Sequence, residues 1–144
     1  MGEARDLAEL HIRSFDKRTW NQAPQIYAPD VTSVQPGGTT IEGIDAMLAF
    51  GQGFATAFPD SHHEVRGIIE SGNVAVAEIT LVGTHTGPLA SPQGEVPPTG
   101  RTLRLPACLV FEVNAGRITA QRAYYDQMTL AAQLGLVPDA AATS

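Results

Sequence analysis

Asp126 sits where a run of strand character, RITAQRAYY, meets a short helical run, QMTLAAQLG, with Tyr124 and Tyr125 immediately before it. A carboxylate in that place has two roles open to it. As an N-cap it accepts a backbone N–H from Met128 or Thr129. As an acid/base group it would lie near an apolar pocket, where desolvation raises a carboxyl pKa. His62 and His63 are neighbours at the start of another strand, HHEVRG, and so point to opposite faces. His63 shares its side with Val65, the apolar side, which makes it either a pocket hydrogen-bonding group or a packed histidine. Gln35, just before Pro36-Gly37, is a turn residue or a substrate-orienting amide. His85 in GTHTG reads as a turn-shaping residue. The four histidines form no HxH or HxxxH pair, and Cys108 is the only cysteine, so neither a metal site nor a disulfide is expected.

These groups need elements to hold them. Leu7, Leu10, Ile12 and Phe15 recur at helical spacing, giving an amphipathic helix from about residue 4 to 19. NQAPQIYA forms a second short helical piece, and VTSV with TIEG a small hairpin across QPGGTT. Ile44 to Phe58 repeats the helical period, ending at FPDS because Pro disfavours helix in the residue before it. HHEVRGIIES and VAVAEITLVGTHT then form two long strands about Gly72-Asn73. After a Pro/Gly-rich excursion come RTLRLPACLVFEV and RITAQRAYY, with Pro106 marking a bulge or an edge. Helices followed by a four-stranded antiparallel meander is an α+β pattern. In ACLVFEV both alternating sets are largely apolar, so both faces of the sheet should be covered. Helices cover one face; a second copy of the chain, in a homodimer, is expected to cover the other.

The 144 residues suit one domain, 1–144, with a core of about 4–137 and a frayed tail at 138–144. Hydrophobic residues make up 43% and charged residues 17%, an ordinary globular composition. A net charge of −6 with scattered basic residues argues against nucleic acid as a partner. No apolar run reaches membrane-spanning length, and MGEARDLAEL has no apolar signal core, so the expected compartment is the cytoplasm.

FPDSHHEV, GTHTGPL, PPTGR, GRI and YYDQMTLAAQLGL occur in an order and at spacings that resemble the SnoaL-like polyketide cyclases, within the nuclear-transport-factor-2-like superfamily. The resemblance spans about Leu7 to Val137. It implies a conical barrel: a strongly curved antiparallel sheet closed by the N-terminal helices around an apolar pocket. It also implies cofactor-free intramolecular aldol cyclisation of an apolar, carbonyl-rich molecule, with Asp126 at the position of the family's acid/base carboxylate. A C–H between two carbonyls is already acidic, so one base and donors for the enolate oxygen suffice. Tyr124, His63 and Gln35 are the expected polar neighbours of the substrate, and Trp20, Tyr27, Phe54 and Phe58 the aromatic walls. The alternative is a non-catalytic binding or dimerising module of the same fold. A ketosteroid-isomerase mechanism is disfavoured because Gln35, an amide, stands where that base belongs. An epoxide-hydrolase Asp–Arg–Asp set is not recognisable, since Val110 and Tyr124 occupy the places an Arg would take.

Overall fold

The computed structural model describes residues 2–91 and 94–137; the tail expected at 138–144 lies outside them. The chain opens with α1 (Glu3–Lys17), a 3-10 turn (Trp20–Gln22) and α2 (Ala23–Ile26), then β1 (Tyr27–Gln35), β2 (Thr39–Glu42) and α3 (Ile44–Ala57). Two long strands follow, β3 (His62–Ser71) and β4 (Val74–Thr84). The Pro/Gly-rich excursion contains a short hairpin, β5 (Leu89–Ser91) with β6 (Gly94–Val96), which its composition does not announce. β7 (Thr102–Asn114), β8 (Arg117–Tyr124) and α4 (Gln127–Gln133) complete the chain. No described helix is long and apolar enough to cross a membrane.

The large sheet is α+β in the manner expected, curved, with strand order β2-β1-β8-β7-β4-β3. The meander β3-β4-β7-β8 is antiparallel, and β1 joins it by pairing in parallel with β8. Inward-facing Leu109, Phe111 and Val113 on β7 meet Ala75, Ala77 and Ile79 on β4, and α1 lays Ala4, Leu7, Ala8 and Ile12 on them. Pro106 pairs with Thr80 without any break in register. It lies beyond the last β7–β8 pair, Cys108–Tyr124, where β7 has become an edge and its missing N–H costs nothing.

Two bulges set which side chains face inward. β8 carries an extra residue, Thr119, between the pairs Val113–Ile118 and Glu112–Ala120. Because side chains alternate with period two, one inserted residue reverses the parity beyond it. Ile118 faces in, and after the bulge Gln121 and Ala123 do. β3 has a similar extra residue, Arg66, between Val65–Ile79 and Gly67–Glu78.

GTHTG ties the end of β4 to the end of α3. Thr86 and Gly87 N–H groups donate to Ala57 O at 3.1 and 3.0 Å, and a Cβ at Gly87 would meet Thr56 O at 2.0 Å. Only glycine allows α3 and this loop to approach so closely. His85 is buried, accepts the Thr99 N–H at Nδ1 (3.2 Å) and stacks on Phe58.

Candidate functional site

A cavity of about 160 Å³ lies between the inner sheet face and the helices. Ile79, Leu81, Leu105, Ala107 and Leu109 form its sheet wall. Phe15, Trp20 and Phe54 form an aromatic wall opposite, with Phe15 edge-on to both Trp20 (5.7 Å) and the His63 ring (5.3 Å).

Several polar groups reach this space, and most of them have a hydrogen-bond partner. His63 enters from β3, and its Nδ1–H donates to Asp16 Oδ1 at 2.7 Å. The Asp16 carboxylate, in the last turn of α1, also accepts the His63 backbone N–H at 3.1 and 3.2 Å. Side-chain exposure is 8% for His63 and 25% for Asp16, so the ring is largely buried while the carboxylate keeps some contact with solvent. A carboxylate on Nδ1 fixes the tautomer and leaves Nε2 as the ring nitrogen with a free lone pair.

His11, on α1, accepts a hydrogen bond from the Tyr27 hydroxyl at Nδ1, 2.5 Å away. Burial, and to a lesser degree the neighbouring His63, depresses His11 to about 3, while Asp16 pulls weakly the other way. Burial raises Tyr27. Both groups are therefore neutral near pH 7. His11's folded value lies below its ordinary 6.5, so the unfolded chain takes up that proton first. The resulting stability is intact above about pH 6.5 and is lost as pH falls towards 3. Thermal melts should show Tm falling between about pH 6.5 and 5 more steeply for the wild type than for His11→Gln. Asp60, Glu64, Glu70 and Asp126, held down by hydrogen bonds from Thr84, Arg104, Arg5 and Thr129, add their losses below that window.

On the β1–β8 side, Gln35 Nε2 donates to Ser33 Oγ (3.0 Å), which donates to Gln121 Oε1 (2.5 Å). With its oxygen accepting from Ser33, Gln121 keeps its amide N–H groups as donors.

Of the residues named from the sequence, Gln35, His63, Trp20, Tyr27 and Phe54 line the cavity. Asp126, Tyr124 and Phe58 do not. Asp126 is exposed; its Oδ1 accepts the Met128 N–H and its Oδ2 the Thr129 hydroxyl, both at 2.9 Å. Those bonds hold its pKa down, the reverse of the raised value an acid/base role in an apolar pocket would need. Tyr124 is 55% exposed, and Tyr125 takes the cavity position instead, because the Thr119 bulge inverts the parity of the strand end. Phe58 is fully buried in a separate cluster with Leu103, Leu105 and Leu134.

Asp16, His11, Gln121 and Tyr125 are additions from the structure. His11 had a legible signal: with Ser14 and Phe15 it forms an i, i+3, i+4 face next to the apolar stripe. Asp16 had none, since its partner lies 47 residues away.

Residues 5–134 match the SnoaL-like polyketide cyclase family. The chain belongs to that family. Among solved structures, the SnoaL-like chain resembles IdmH, a candidate polyketide cyclase from Streptomyces antibioticus, at 26% identity and a TM-score of 0.77, over 93% of this chain and 99% of that one. A candidate SnoaL-like polyketide cyclase from Jannaschia sp. CCS1 superposes with a TM-score of 0.80 at 19% identity, covering 94% of each chain. AclR, a candidate hydroxylase from Streptomyces galilaeus, gives 0.78 at 21% identity over 95% of this chain and 83% of that one. At such identities the last two speak for the fold alone, and one fold carries more than one chemistry. No curated protein matches the SnoaL-like chain in sequence.

Proposed function

We propose that this SnoaL-like protein is a cofactor-free enzyme that cyclises or isomerises an apolar, carbonyl-rich small molecule by proton transfer. His63, oriented by Asp16, is the acid/base group. The observation that carries this reading is the 2.7 Å contact from Asp16 to His63, a residue on the wall of a mostly apolar cavity. His63 Nε2 removes a proton from a carbon flanked by carbonyls, and the enolate oxygen accepts an N–H from Gln121. The enolate carbon then attacks a second carbonyl of the same molecule, and the alkoxide so formed recovers the proton from the His63 imidazolium. Asp16 stabilises that imidazolium, and the apolar walls strengthen each of these interactions by excluding water. Holding the flexible substrate folded between Phe15, Trp20 and Phe54 makes ring closure effectively unimolecular.

Half-exposed Val76, Cys108 and Val110, with exposed Ile69, lie on the outward-facing parity of β3, β4 and β7 and support a homodimer through that side of the sheet.

A crystal structure with 2-naphthol, a stable planar enol, tests the arrangement. The expected pose puts the naphthol oxygen within about 3.2 Å of Gln121 Nε2 and a ring carbon against His63 Nε2. Naphthol seated against Asp126, with the cavity unfilled, would contradict it.

A further inference from the structure

Behind the dyad, α1 and β3 enclose a second groove that opens to solvent. Ile12, Val65 and Ile68 give it an apolar floor, Asp16 lines its wall, and His63 lines both this groove and the cavity. Consecutive strand residues normally face opposite ways, yet Val65 and Arg66 both line this groove, as a bulge at Arg66 permits. Its rim carries Arg5, Arg13, Lys17 and Arg66 against only Glu9 and Asp16. Both acids are already engaged, Glu9 by Arg5 at 3.1 Å and Asp16 by His63. Arg13, Lys17 and Arg66 are exposed, and among the described residues no acid pairs with them. Most of the other cations are occupied: Arg104 by Glu64, Arg122 by Glu112, and Arg18 and Arg117 by backbone carbonyls. On a chain of net charge −6, three free cations over an apolar floor form a local site of opposite sign.

We propose that the α1–β3 groove is a second binding site, for an organic anion. A phosphate-ester or carboxylate end-group is held by Arg13, Lys17 and Arg66, and its adjoining apolar part rests on Ile12, Val65 and Ile68. Guanidinium groups suit both end-groups because their paired N–H donors match two oxygens of the anion. The occupant lies against the outer side of the Asp16–His63 pair, so it is placed to be felt at the cavity. This assignment does not rest on the proton-transfer reading.

The test is a titration of the whole chain with phenyl phosphate, followed by amide shifts in nitrogen-15 NMR spectra at low salt. Benzoate, inorganic phosphate and phenol serve as comparisons. Saturable shifts at Lys17, Arg66 and Gly67 are expected with phenyl phosphate or benzoate, with none from phenol. The Arg13→Gln/Lys17→Gln/Arg66→Gln variant touches only exposed side chains and should fold normally, and its affinity should fall about tenfold or more. Added salt should weaken binding in the wild type. Unchanged affinity in the triple variant, or no saturation with either anion, would overturn the site. Inorganic phosphate binding as tightly as phenyl phosphate would overturn its organic character. Because binding is read without turnover, none of these results depends on what His63 does in the cavity.

Discussion

His63→Gln is expected to lower the rate of proton removal from a 1,3-dicarbonyl probe by about 10²–10⁴-fold, the usual contribution of a positioned acid/base group. Glutamine can keep a hydrogen bond to Asp16 and fill most of the imidazole volume, so Tm should move little. An amide has no basic nitrogen, so rescue of the lost rate by added imidazole would mark the defect as chemical. The probe's binding should change less than its turnover, because Trp20 and Phe54 supply the apolar contact. A variant that loses both stability and binding would instead show His63 to be a packing residue.

Phe58→Ala should act in the opposite way, on stability and not on chemistry. Phe58 is 0% exposed, stacks on Phe54 at 4.7 Å and on His85 at 5.1 Å, and packs with Leu103, Leu105 and Leu134. Truncating so large a buried ring costs about 3–5 kcal/mol through lost burial and the cavity left behind. Urea melts should show the midpoint falling with little change in slope. Below the denaturation midpoint, the folded fraction should exchange the probe's proton at close to the wild-type rate. A large rate loss with unchanged stability would return Phe58 to the substrate wall, where its aromatic character alone had suggested it belonged.

The elements were legible because their signals are local. Leu7, Ile12 and Phe15 mark α1 by spacing, and the apolar run ACLVFEV marks β7, of which Leu109, Phe111 and Val113 are the buried set. The site was legible only in part. His63 lies before the β3 bulge, where counting faces holds, whereas Gln35 was suggested by the family pattern and Trp20, Tyr27 and Phe54 by their aromatic character. Face-counting fails on β8, because nothing in RITAQRAYY signals that Thr119 is an extra residue, and without the bulge Tyr124 and Asp126 would have the cavity's parity. Asp126 was also drawn towards chemistry by the family pattern, although its cap geometry is the ordinary one for an Asp before a helix. The Asp16–His63 contact joins two segments 47 residues apart, so only the tertiary packing of α1 against β3 creates it.

The account turns on which residue moves the proton. The most direct measurement is loss of the C–H signal of a non-cyclising 1,3-dicarbonyl in deuterated buffer, followed by proton NMR. Wild type, His63→Gln and Asp126→Asn are compared at equal folded concentration. The wild type should accelerate exchange over buffer, Asp126→Asn should stay within about twofold of it, and His63→Gln should fall to near the buffer rate. Full activity in His63→Gln together with loss of exchange in Asp126→Asn would contradict the account and give the chemistry back to the helix cap.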